Sequence, residues 1–406
     1  MADALSAEEK RQQEVFRLIP SENYIYEPAR IALGAAVCDK YSEGYPHKWT
    51  KNTAERVTIK RAIELFAPAG TTSDYHANVQ PLSGANANLA VYTALIKPGD
   101  RILGMSLAHG GHLTHGHGVS VSSKFFEAHQ YTLGDDLLLD YDAIRKQAKE
   151  VQPALIICGA SSYTREIDFA AFADIAKEVG ALLHADVAHI SGLCVTGCHM
   201  NPFPHADVVT TTTHKILRGP RGGMILCKKE HGPAIDRAVF PGLQGGPHMN
   251  KIAALGITLK HALSDEYKSY AQQVVANAKQ LADSLIENGF ELTTGGTDNH
   301  MLTIDLKKGL PAGRLDGTSY AELLEDAGIV LNKNSIPGDE KPWKPTGVRL
   351  GTPAITSLGM KEAEMKQLAA WFAELAVEGA DSTTAQRVAS EVKEVMTKFP
   401  IPAWLA

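Results

Sequence analysis

Between residues 83 and 229 the chain alternates short apolar runs with amphipathic segments. DYDAIRKQAKEV puts Ile144, Ala148 and Val151 on one helical face, and the apolar run ALIICG follows it. FAAFADIAKEVG then repeats apolar residues at helical spacing and stops at Gly180, where a glycine commonly ends a helix. LLHADVA, VVTTTT and MILCKK have the composition of further buried strands. This alternation predicts an α/β fold with a mainly parallel sheet covered by helices.

The C-terminal part of the chain has a different pattern. A long helical stretch, YKSYAQQVVANAKQLADSLIENG, is followed by the strand-like FELTTGG and HMLTIDL and then by helical segments. A chain of 406 residues with 44% hydrophobic content is long enough for two domains. We predict an N-terminal arm at 1–25, a large domain at 26–274 and a smaller α+β domain at 275–406. In the arm, Ser6 and Glu9 have the capping-box spacing, which predicts a helix that begins there.

Composition excludes several classes of protein. The net charge is -6 with charges of both signs interspersed, which differs from the basic surface of a nucleic-acid binder. No uncharged apolar run approaches the roughly 20 residues that a membrane-spanning helix needs. The polar N-terminus differs from a secretory signal peptide, and five scattered cysteines do not form a disulfide framework. We therefore expect a soluble cytoplasmic protein without nucleic-acid or membrane partners.

Two groups of residues have the composition of a metal site. Cys194, Cys198 and His199 lie close in sequence, but apolar neighbours and the lack of a fourth ligand favour buried thiols. MSLAHGGHLTHGHG places four histidines within nine residues, with no carboxylate or cysteine among them. A glycine-rich loop that turns one imidazole toward a flat ring explains this second group equally well. We predict no metal.

Two strand ends carry reactive side chains. VVTTTTHKILRGPRGG ends a strand in hydroxyl groups and continues with His214 and Lys215. A lysine at a sheet edge forms a Schiff base when its surroundings lower its pKa, although most such lysines are ordinary surface residues. In LLHADVAH, Asp186 ends an apolar strand, where a carboxylate needs a cationic partner. A protonated pyridine nitrogen is one such partner; a metal ion or a helix cap is another.

A third element precedes both strands. In PLSGANANLAVYTAL, Ser83 and Gly84 lead from a loop into a helix, whose N-terminal amides suit a phosphate or a simple cap. Along the chain the order is therefore phosphate loop, ring-facing histidine, strand aspartate and strand lysine. This order is far more specific for a pyridoxal-phosphate enzyme than any one of its parts, and it makes Lys215 the predicted cofactor lysine.

These segments resemble the serine hydroxymethyltransferase family over nearly the whole chain. The shared stretches are IPSEN, KYSEGYP, NVQPLSGANAN, LAHGGHLTHG, DVAHISGL, VVTTTTHKILRGPRGG, QGGP, GGTDNHM, LNKNSIP and GVRLGTPAIT. The resemblance implies a fold-type-I pyridoxal-phosphate enzyme with a mainly parallel seven-stranded sheet in its large domain. It also implies a homodimer with shared active sites, with a tetramer left open, and tetrahydrofolate as co-substrate.

The resemblance also implies roles for individual residues. Lys215 carries the cofactor, Asp186 pairs with the pyridine nitrogen and His112 stacks on the ring. The remaining cofactor positions are Ser83, Gly84, Ala85, Ser161, His189, Thr212 and His214, with Gly245 and Gly246 from the partner subunit. The substrate positions are Ser21, Tyr41, Glu43 and Arg349. The folate positions are Leu107, Gly111, Leu113 and Asn334.

The chemistry implied by the resemblance is an aldol cleavage. Arg349 binds the substrate carboxylate through its forked guanidinium group. Glu43 handles the proton of the substrate hydroxyl while the Cα–Cβ bond breaks, and Tyr41 contacts the site from the partner subunit. Tetrahydrofolate takes up the released aldehyde, or water does when folate is absent.

The sequence departs from the family mainly after KYSEGYP. The family has two tyrosines there, whereas this chain has HKWTKNTAERVTIK and a loop several residues shorter. Trp49 supplies aromatic surface, but Thr50 and Lys51 do not replace two phenols. Smaller departures are Ala85 in place of a serine, Leu243 in place of a glycine, and Trp343 in a shortened folate loop.

The lost tyrosines keep other substrates open. A serine hydroxymethyltransferase is the main interpretation. An α-methylserine hydroxymethyltransferase, or a threonine-type aldolase or transaldolase, would use the same chemistry with a larger pocket beside Cα and Cβ. An inactive paralogue with a binding role conflicts with the presence of Lys215, Asp186, His112, Glu43 and Arg349.

Overall fold

The computed structural model describes residues 1–43, 53–311, 313–339, 343–378 and 383–401. The chain forms two compact units. The large unit contains Ile25–Ser161 and Glu166–Ser269, and the small unit contains Met1–Tyr24, Ser162–Arg165 and Tyr270–Ala406. The domain boundaries taken from the sequence (1–25, 26–274 and 275–406) stay a prediction.

The regular elements follow one another in chain order. The strands are β1 (Phe16–Arg17), β2 (Tyr75–Asn78), β3 (Arg101–Met105), β4 (Glu127–Tyr131), β5 (Leu155–Cys158), β6 (Leu182–Asp186), β7 (Val208–Thr212), β8 (Gly223–Lys228), β9 (Phe290–Leu292), β10 (Met301–Gly309), β11 (Ile329–Val330), β12 (Asn332–Asn334) and β13 (Gly347–Gly351). The α-helices are α1 (Ala2–Glu14), α2 (Glu27–Leu33), α3 (Thr53–Phe66), α4 (Gly84–Leu95), α5 (Val121–Phe125), α6 (Tyr141–Val151), α7 (Phe169–Val179), α8 (Ser191–Thr196), α9 (Gly232–Arg237), α10 (Met249–Ala262), α11 (Asp265–Glu287), α12 (Gly317–Asp326), α13 (Pro353–Ser357), α14 (Glu362–Glu378) and α15 (Thr383–Lys398).

The large unit is built on a seven-stranded sheet in the order β2-β8-β7-β6-β5-β3-β4. The four pairings from β7 to β4 are parallel, and β8 pairs antiparallel with both of its neighbours. The antiparallel strand has a local cause: the Gly- and Pro-containing turn after β7 returns the chain without a crossover helix. The predicted α/β fold with a mainly parallel seven-stranded sheet is confirmed.

Helices pack on this sheet through the faces that the sequence indicates. All four residues of β5 are buried, as a strand covered on both faces requires. Helix α6 buries Ile144 and Ala148, while α7 buries Phe172 and Ile175 and ends at Gly180 in the left-handed region, with φ of 71°. Glycine reaches this conformation without steric cost, which explains why the helix stops there.

The N-terminal helix differs from its prediction. Helix α1 begins at Ala2, and Ser6 lies inside it rather than at its cap. The Leu5 N–H donates to the Met1 carbonyl, so the first helical hydrogen bond closes before Ser6. Alanine and leucine before Ser6 favour the helix, and this propensity outweighs the capping-box signal.

The small unit has two sheets and its own core. A four-stranded antiparallel sheet has the order β12-β13-β10-β9, and β1 pairs in parallel with β11. Its core includes Trp371 and Phe372 of α14 with Tyr320 of α12. In the part of the chain that the structure describes, no helix is both long enough and apolar enough to span a membrane.

Candidate active site

Lys215 lies three residues beyond the end of β7, in a tight turn. The Arg218 N–H donates to the Lys215 carbonyl at 3.0 Å, and the Gly219 N–H donates to the Thr213 carbonyl at 2.9 Å. Arg218 itself has a φ of 58°, which lets the chain reverse here. The Lys215 charge contributes to the lowered pKa of both His112 and His214. The Lys215 charge therefore acts on His112, which belongs to a different segment of the sequence.

Asp186 lies at the end of β6, the strand next to β7, and it is surrounded by donors. Its Oδ2 accepts from Asn88 Nδ2 at 2.8 Å and from His115 Nε2 at 3.0 Å, and its Oδ1 accepts from the Ala188 N–H at 3.0 Å. Burial opposes ionisation, but these hydrogen bonds and the nearby imidazoles hold the pKa of the Asp186 carboxyl well below its usual value. Asp186 is thus a buried carboxylate at neutral pH.

The hydrogen bonds to Asp186 also show where a further donor fits. A carboxylate offers about four lone pairs. Oδ2 already has two donors and Oδ1 has one, so among the described residues Oδ1 keeps an acceptor position. A pyridinium N–H would meet this requirement, because it is a donor that carries a positive charge. This position is what a pyridoxal ring needs from an aspartate.

His112 and His115 both belong to the glycine-rich histidine loop. The His112 backbone N–H donates to His115 Nδ1 at 3.2 Å, and the Thr114 N–H donates to His112 Nδ1 at 3.2 Å. Burial lowers the pKa of His112 to about 4, with the His115 and Lys215 charges adding to the effect. His112 is therefore neutral at pH 7, which suits an imidazole that stacks on a flat ring.

The predicted phosphate end is formed by α4, β7 and β8. Ser83 caps α4 by accepting the Asn86 N–H, which leaves the first amides of the helix, including those of Gly84 and Ala85, available for an anion. A Cβ on Gly84 would lie 2.9 Å from Thr212 Cγ2, and one on Gly223 would lie 2.3 Å from the Ser83 carbonyl. Both glycines are needed because the loop lies directly against the two strands.

His214 is the polar residue at this end that fits an anion best. Its Nδ1 is buried and has no hydrogen-bond partner among the described residues. Burial lowers the pKa of His214 to about 3, with Arg221 and Lys215 adding their charges. A phosphate oxygen would supply the missing partner and would balance these positive charges. The residues present therefore fit pyridoxal phosphate at both its ring and its phosphate.

Ser161 and His189 follow β5 and β6 at the same edge of the sheet. The Ser161 N–H donates to the Gly110 carbonyl at 2.7 Å, which ties the end of β5 to the histidine loop. Thr212 Oγ1 donates to the Ala188 carbonyl at 3.1 Å, next to the buried His189. The carboxyl ends of parallel strands meet at one edge of a sheet, so Ser161 and His189 lie at the same edge as Asp186, and their cofactor roles stay a prediction.

A second group in the large unit contains Tyr41, Glu43 and Gly246. A Cβ on Gly246 would lie 2.9 Å from Tyr41 Cδ1 and 3.0 Å from Glu43 Oε1, whereas Gly245 has open space around it. Tyr41 is 71% exposed. Tyr41 and Glu43 thus lie close to Gly246, and Tyr41 presents an aromatic ring to solvent. The main departure of the sequence from the family, at His47 to Glu55, lies largely outside the described residues, since 44–52 are not described.

Three of the predicted residues belong to the small unit. Arg349 lies in β13 and donates from Nη2 to Asn332 Oδ1 at 2.9 Å. Burial lowers the pKa of Arg349 to about 10, so the guanidinium stays charged at neutral pH and favours an anionic partner. The Gly351 N–H donates to the Leu18 carbonyl, which brings the segment containing Ser21 to the end of the same strand. Asn334 ends β12, which pairs with β13.

The remaining folate positions lie in the histidine loop. Leu113 is exposed. Gly111 has no room for a side chain, because a Cβ there would lie 2.0 Å from the Met105 carbonyl. Leu107 begins the short 3-10 turn Leu107–His109. An apolar exposed side chain beside a rigid loop fits a flat ligand, and the folate roles of these residues stay a prediction.

Among the described residues, ligand atoms of His112, His115 and Asp186 lie within 4.8 Å of one another. Both Nδ1 atoms accept backbone hydrogen bonds, and His115 Nε2 bonds Asp186. The imidazole lone pairs that a cation needs are therefore already engaged, and we assign the two histidines to hydrogen bonding.

Cys194 and His199 are also close together, with Sγ and Nδ1 3.9 Å apart. His199 Nε2 accepts the Ile167 N–H, and its Nδ1 lies 3.0 Å from the Met200 carbonyl oxygen. Both ring nitrogens thus have structural partners, and burial raises the pKa of the Cys194 thiol above its usual value. This geometry favours a buried thiol.

Sequence reasoning missed Asn88 and His115. Asn88 lies on α4, where Ala87, Ala90 and Val91 are buried around it. A lone amide on an apolar helix face was the available signal, because burial of an amide requires partners. His115 was visible as one of four histidines in the loop, but only the fold shows which of them reaches Asp186.

The sheet, the lysine after β7 and the aspartate that ends β6 define the class of fold-type-I pyridoxal-phosphate enzymes. A family model described as serine hydroxymethyltransferase matches residues 1–372. The chain is 50% identical to the serine hydroxymethyltransferase of Desulfotalea psychrophila over 399 residues, covering 98% of this chain and 93% of the relative. It is 48% identical to that of Sorangium cellulosum and 47% identical to that of Acidothermus cellulolyticus, each covering 99% of this chain and 95% of the relative. The chain belongs to the serine hydroxymethyltransferase family.

Proposed function

We propose that the chain transfers the hydroxymethyl group of serine to tetrahydrofolate, forming glycine and methylene-tetrahydrofolate, with pyridoxal phosphate as its cofactor. The observation that carries the proposal is the Asp186 carboxylate, which is held ionised by Asn88, His115 and the Ala188 amide. It keeps one acceptor position for a pyridinium N–H. Family membership supports the same activity.

Each residue of the cofactor site has one task in this proposal. Lys215 holds the cofactor through its amine, Asp186 accepts the pyridine N–H, and His112 covers one face of the ring. The α4 N-terminus at Ser83, together with His214, binds the phosphate. The bound cofactor supplies an electron sink that weakens a bond to Cα of an attached amino acid. The protein residues fix the orientation of that bond.

The substrate residues bind serine and assist its cleavage. Arg349 binds the carboxylate, with Ser21 beside it, because a charged guanidinium forms paired hydrogen bonds with a carboxylate. Glu43 takes the proton of the β-hydroxyl as the Cα–Cβ bond breaks, and formaldehyde leaves. Leu107, Gly111, Leu113 and Asn334 hold the tetrahydrofolate that captures it.

We further propose a cytoplasmic homodimer in which two subunits complete each site. The exposed Tyr41 lies close to Glu43 and Gly246 in the large unit. In the dimer Tyr41, Gly245 and Gly246 reach the partner subunit's cofactor. An exposed tyrosine in one chain is the kind of residue that becomes buried on assembly.

A substrate comparison tests the activity. The purified protein, loaded with pyridoxal phosphate, is given serine, α-methylserine or threonine, with and without tetrahydrofolate. We expect glycine from serine, at a rate that rises strongly with tetrahydrofolate. The Lys215→Ala variant is expected to be colourless and inactive, and it serves as the matched control.

The other outcomes contradict the proposal in different ways. D-alanine formed from α-methylserine, with serine inert, would establish the larger-pocket alternative. Acetaldehyde from threonine without any effect of folate would establish a threonine-type aldolase. Full loading with cofactor and no turnover of any of the three would indicate the inactive paralogue.

A further inference from the structure

We propose that Asn88 is a positioning residue: its single amide holds both the Asp186 carboxylate and the Thr114 hydroxyl, which in turn donates to His112 and favours one tautomer of its ring. The inference rests on the proposed cofactor site and assigns that site a residue that the sequence did not indicate. Asn88 contacts neither substrate nor cofactor in this proposal; it acts through the residues it bonds.

Asn88 uses every hydrogen-bonding atom of its amide. Its Nδ2 donates to Asp186 Oδ2 and to Thr114 Oγ1, each at 2.8 Å, and its Oδ1 accepts from Thr210 Oγ1 at 2.6 Å. Exchanging the amide oxygen and nitrogen would turn a carbonyl oxygen toward the carboxylate, so only one orientation satisfies the site. At 1% exposure, water does not replace these partners.

The direction of every bond around Asn88 then follows. The Thr114 backbone N–H donates to His112 Nδ1 at 3.2 Å, so that nitrogen acts as an acceptor. The Thr114 hydroxyl, whose oxygen accepts from Asn88, therefore gives its own hydrogen to the same nitrogen at 2.7 Å. His112 Nδ1 therefore carries no proton, and the ring proton is on Nε2.

The same reasoning assigns the two neighbouring histidines. His115 Nδ1 accepts the His112 N–H, so its proton is on Nε2 and points to Asp186. Thr210 donates its hydroxyl hydrogen to Asn88, so His184 must donate from Nε2 to Thr210 Oγ1, which lies 2.8 Å away. Burial lowers the pKa of His184 to about 3, in agreement with a neutral ring.

One amide consequently links two groups that face the cofactor from different segments. Asn88 donates directly to the carboxylate on β6, and it also holds the Thr114 hydroxyl that donates to the ring-facing imidazole of the histidine loop. Removing the amide takes a donor from Asp186 Oδ2 and frees the Thr114 hydroxyl to rotate. Both the charge at the pyridine nitrogen and the His112 tautomer are expected to change together.

The test compares Asn88→Ala with the wild-type chain. In cofactor-free protein labelled with 15N-histidine, the two-bond proton–nitrogen spectrum reports the tautomer of His112, and we expect the pure Nε2–H form to become a mixture. In protein loaded with 15N-labelled pyridoxal phosphate, the nitrogen shift is expected to move toward the unprotonated pyridine. Cofactor affinity should fall about tenfold to a hundredfold, as expected for loss of a hydrogen bond to a charged group.

Thr114→Val separates the effect of Asn88 on His112 from its effect on Asp186. It removes the hydroxyl beside His112 at nearly constant volume and leaves the bond from Asn88 to Asp186. We expect the His112 tautomer to change while the pyridine shift stays close to that of wild type. This variant also tests the proposal if Asn88→Ala fails to fold.

Asn277→Ala is the matched control for a structural role. Asn277 is also a fully buried amide, and it bonds Thr356 and the Met360 carbonyl in the small unit. We expect it to lower the unfolding temperature without moving either nitrogen signal. An Asn88→Ala protein that loses only stability, like the control, would overturn the proposal. A wild-type chain that binds no pyridoxal phosphate would overturn the proposed function. The His112 tautomer, measured in cofactor-free protein, would still test the proposed role of Asn88.

Discussion

Lys251 gives the most quantitative prediction, because it is a lysine buried in the large unit. Its Nζ donates to the Val79 carbonyl at 2.6 Å and to the Pro81 carbonyl at 3.0 Å, both in the segment that leads to Ser83. Burial lowers the pKa of Lys251 to about 7, with Glu55 opposing the shift. A neutral amine has two N–H donors, which matches the two carbonyls.

The sign and size of the pH effect follow from this value. An unfolded lysine has a pKa of about 10.4, so between roughly pH 7 and 10 the unfolded chain binds a proton that the folded chain does not. Stability therefore rises with pH in this window, by about 1.4 kcal/mol per pH unit. Between pH 7 and pH 9 the contribution of Lys251 amounts to about 2 to 3 kcal/mol.

The assay is urea unfolding of the wild-type chain and Lys251→Met at several pH values. Other groups titrate in both proteins, so the informative quantity is the difference between their free energies of unfolding. We expect that difference to shift in favour of wild type by about 2 to 3 kcal/mol from pH 7 to pH 9. Lys260→Met, at an exposed position on the same helix, controls for the loss of one positive charge. A difference that does not change with pH would refute the assignment of a neutral Lys251.

Three further predictions concern the site. In Asp186→Asn one of the two side-chain atoms becomes an NH2 donor, which then faces either the donors of Asn88 and His115 or the Ala188 N–H. We expect a loss of about 1 to 3 kcal/mol in the free energy of unfolding; an unchanged urea midpoint would contradict it. Arg349→Ala should raise the serine KM by about a hundredfold or more while leaving cofactor affinity intact, and equal serine affinity would remove Arg349 from the site. Mixing inactive Lys215→Ala with inactive Tyr41→Ala should restore up to about a quarter of wild-type activity if subunits share sites, whereas no recovery would indicate self-contained subunits.

Local signals in the sequence predicted most of the large unit. The strands around Asp186 and Lys215 are short and apolar, and the helices between them have a helical period, so both can be recognised without tertiary information. Reactive residues at strand ends could be predicted because parallel strands bring those ends to one edge. The predicted start of α1 at Ser6 was wrong. Side-chain capping and helix propensity both contribute to the free energy of a helix end, and their sum decides where the helix begins.

The hydrogen-bond network could not be read from the sequence. Asn88, Thr114, Asp186 and Thr210 come from four separate segments, and no local pattern shows that they meet. His115 and His112 are equivalent in sequence, three residues apart in one loop, and only the fold directs one toward the carboxylate and the other toward the ring. The loop after Pro46, where the sequence departs from the family and leaves the substrate open, lies largely outside the described residues.

The most direct test of the account is to identify the lysine that carries the cofactor. Borohydride reduces a Schiff base between pyridoxal phosphate and a lysine to a stable amine, which peptide mass spectrometry then locates. We predict a single tag on Lys215, and none on Lys251, although the lowered pKa of Lys251 favours its reactive neutral form. A tag on Lys251, or no tag on a protein saturated with cofactor, would contradict the assignment.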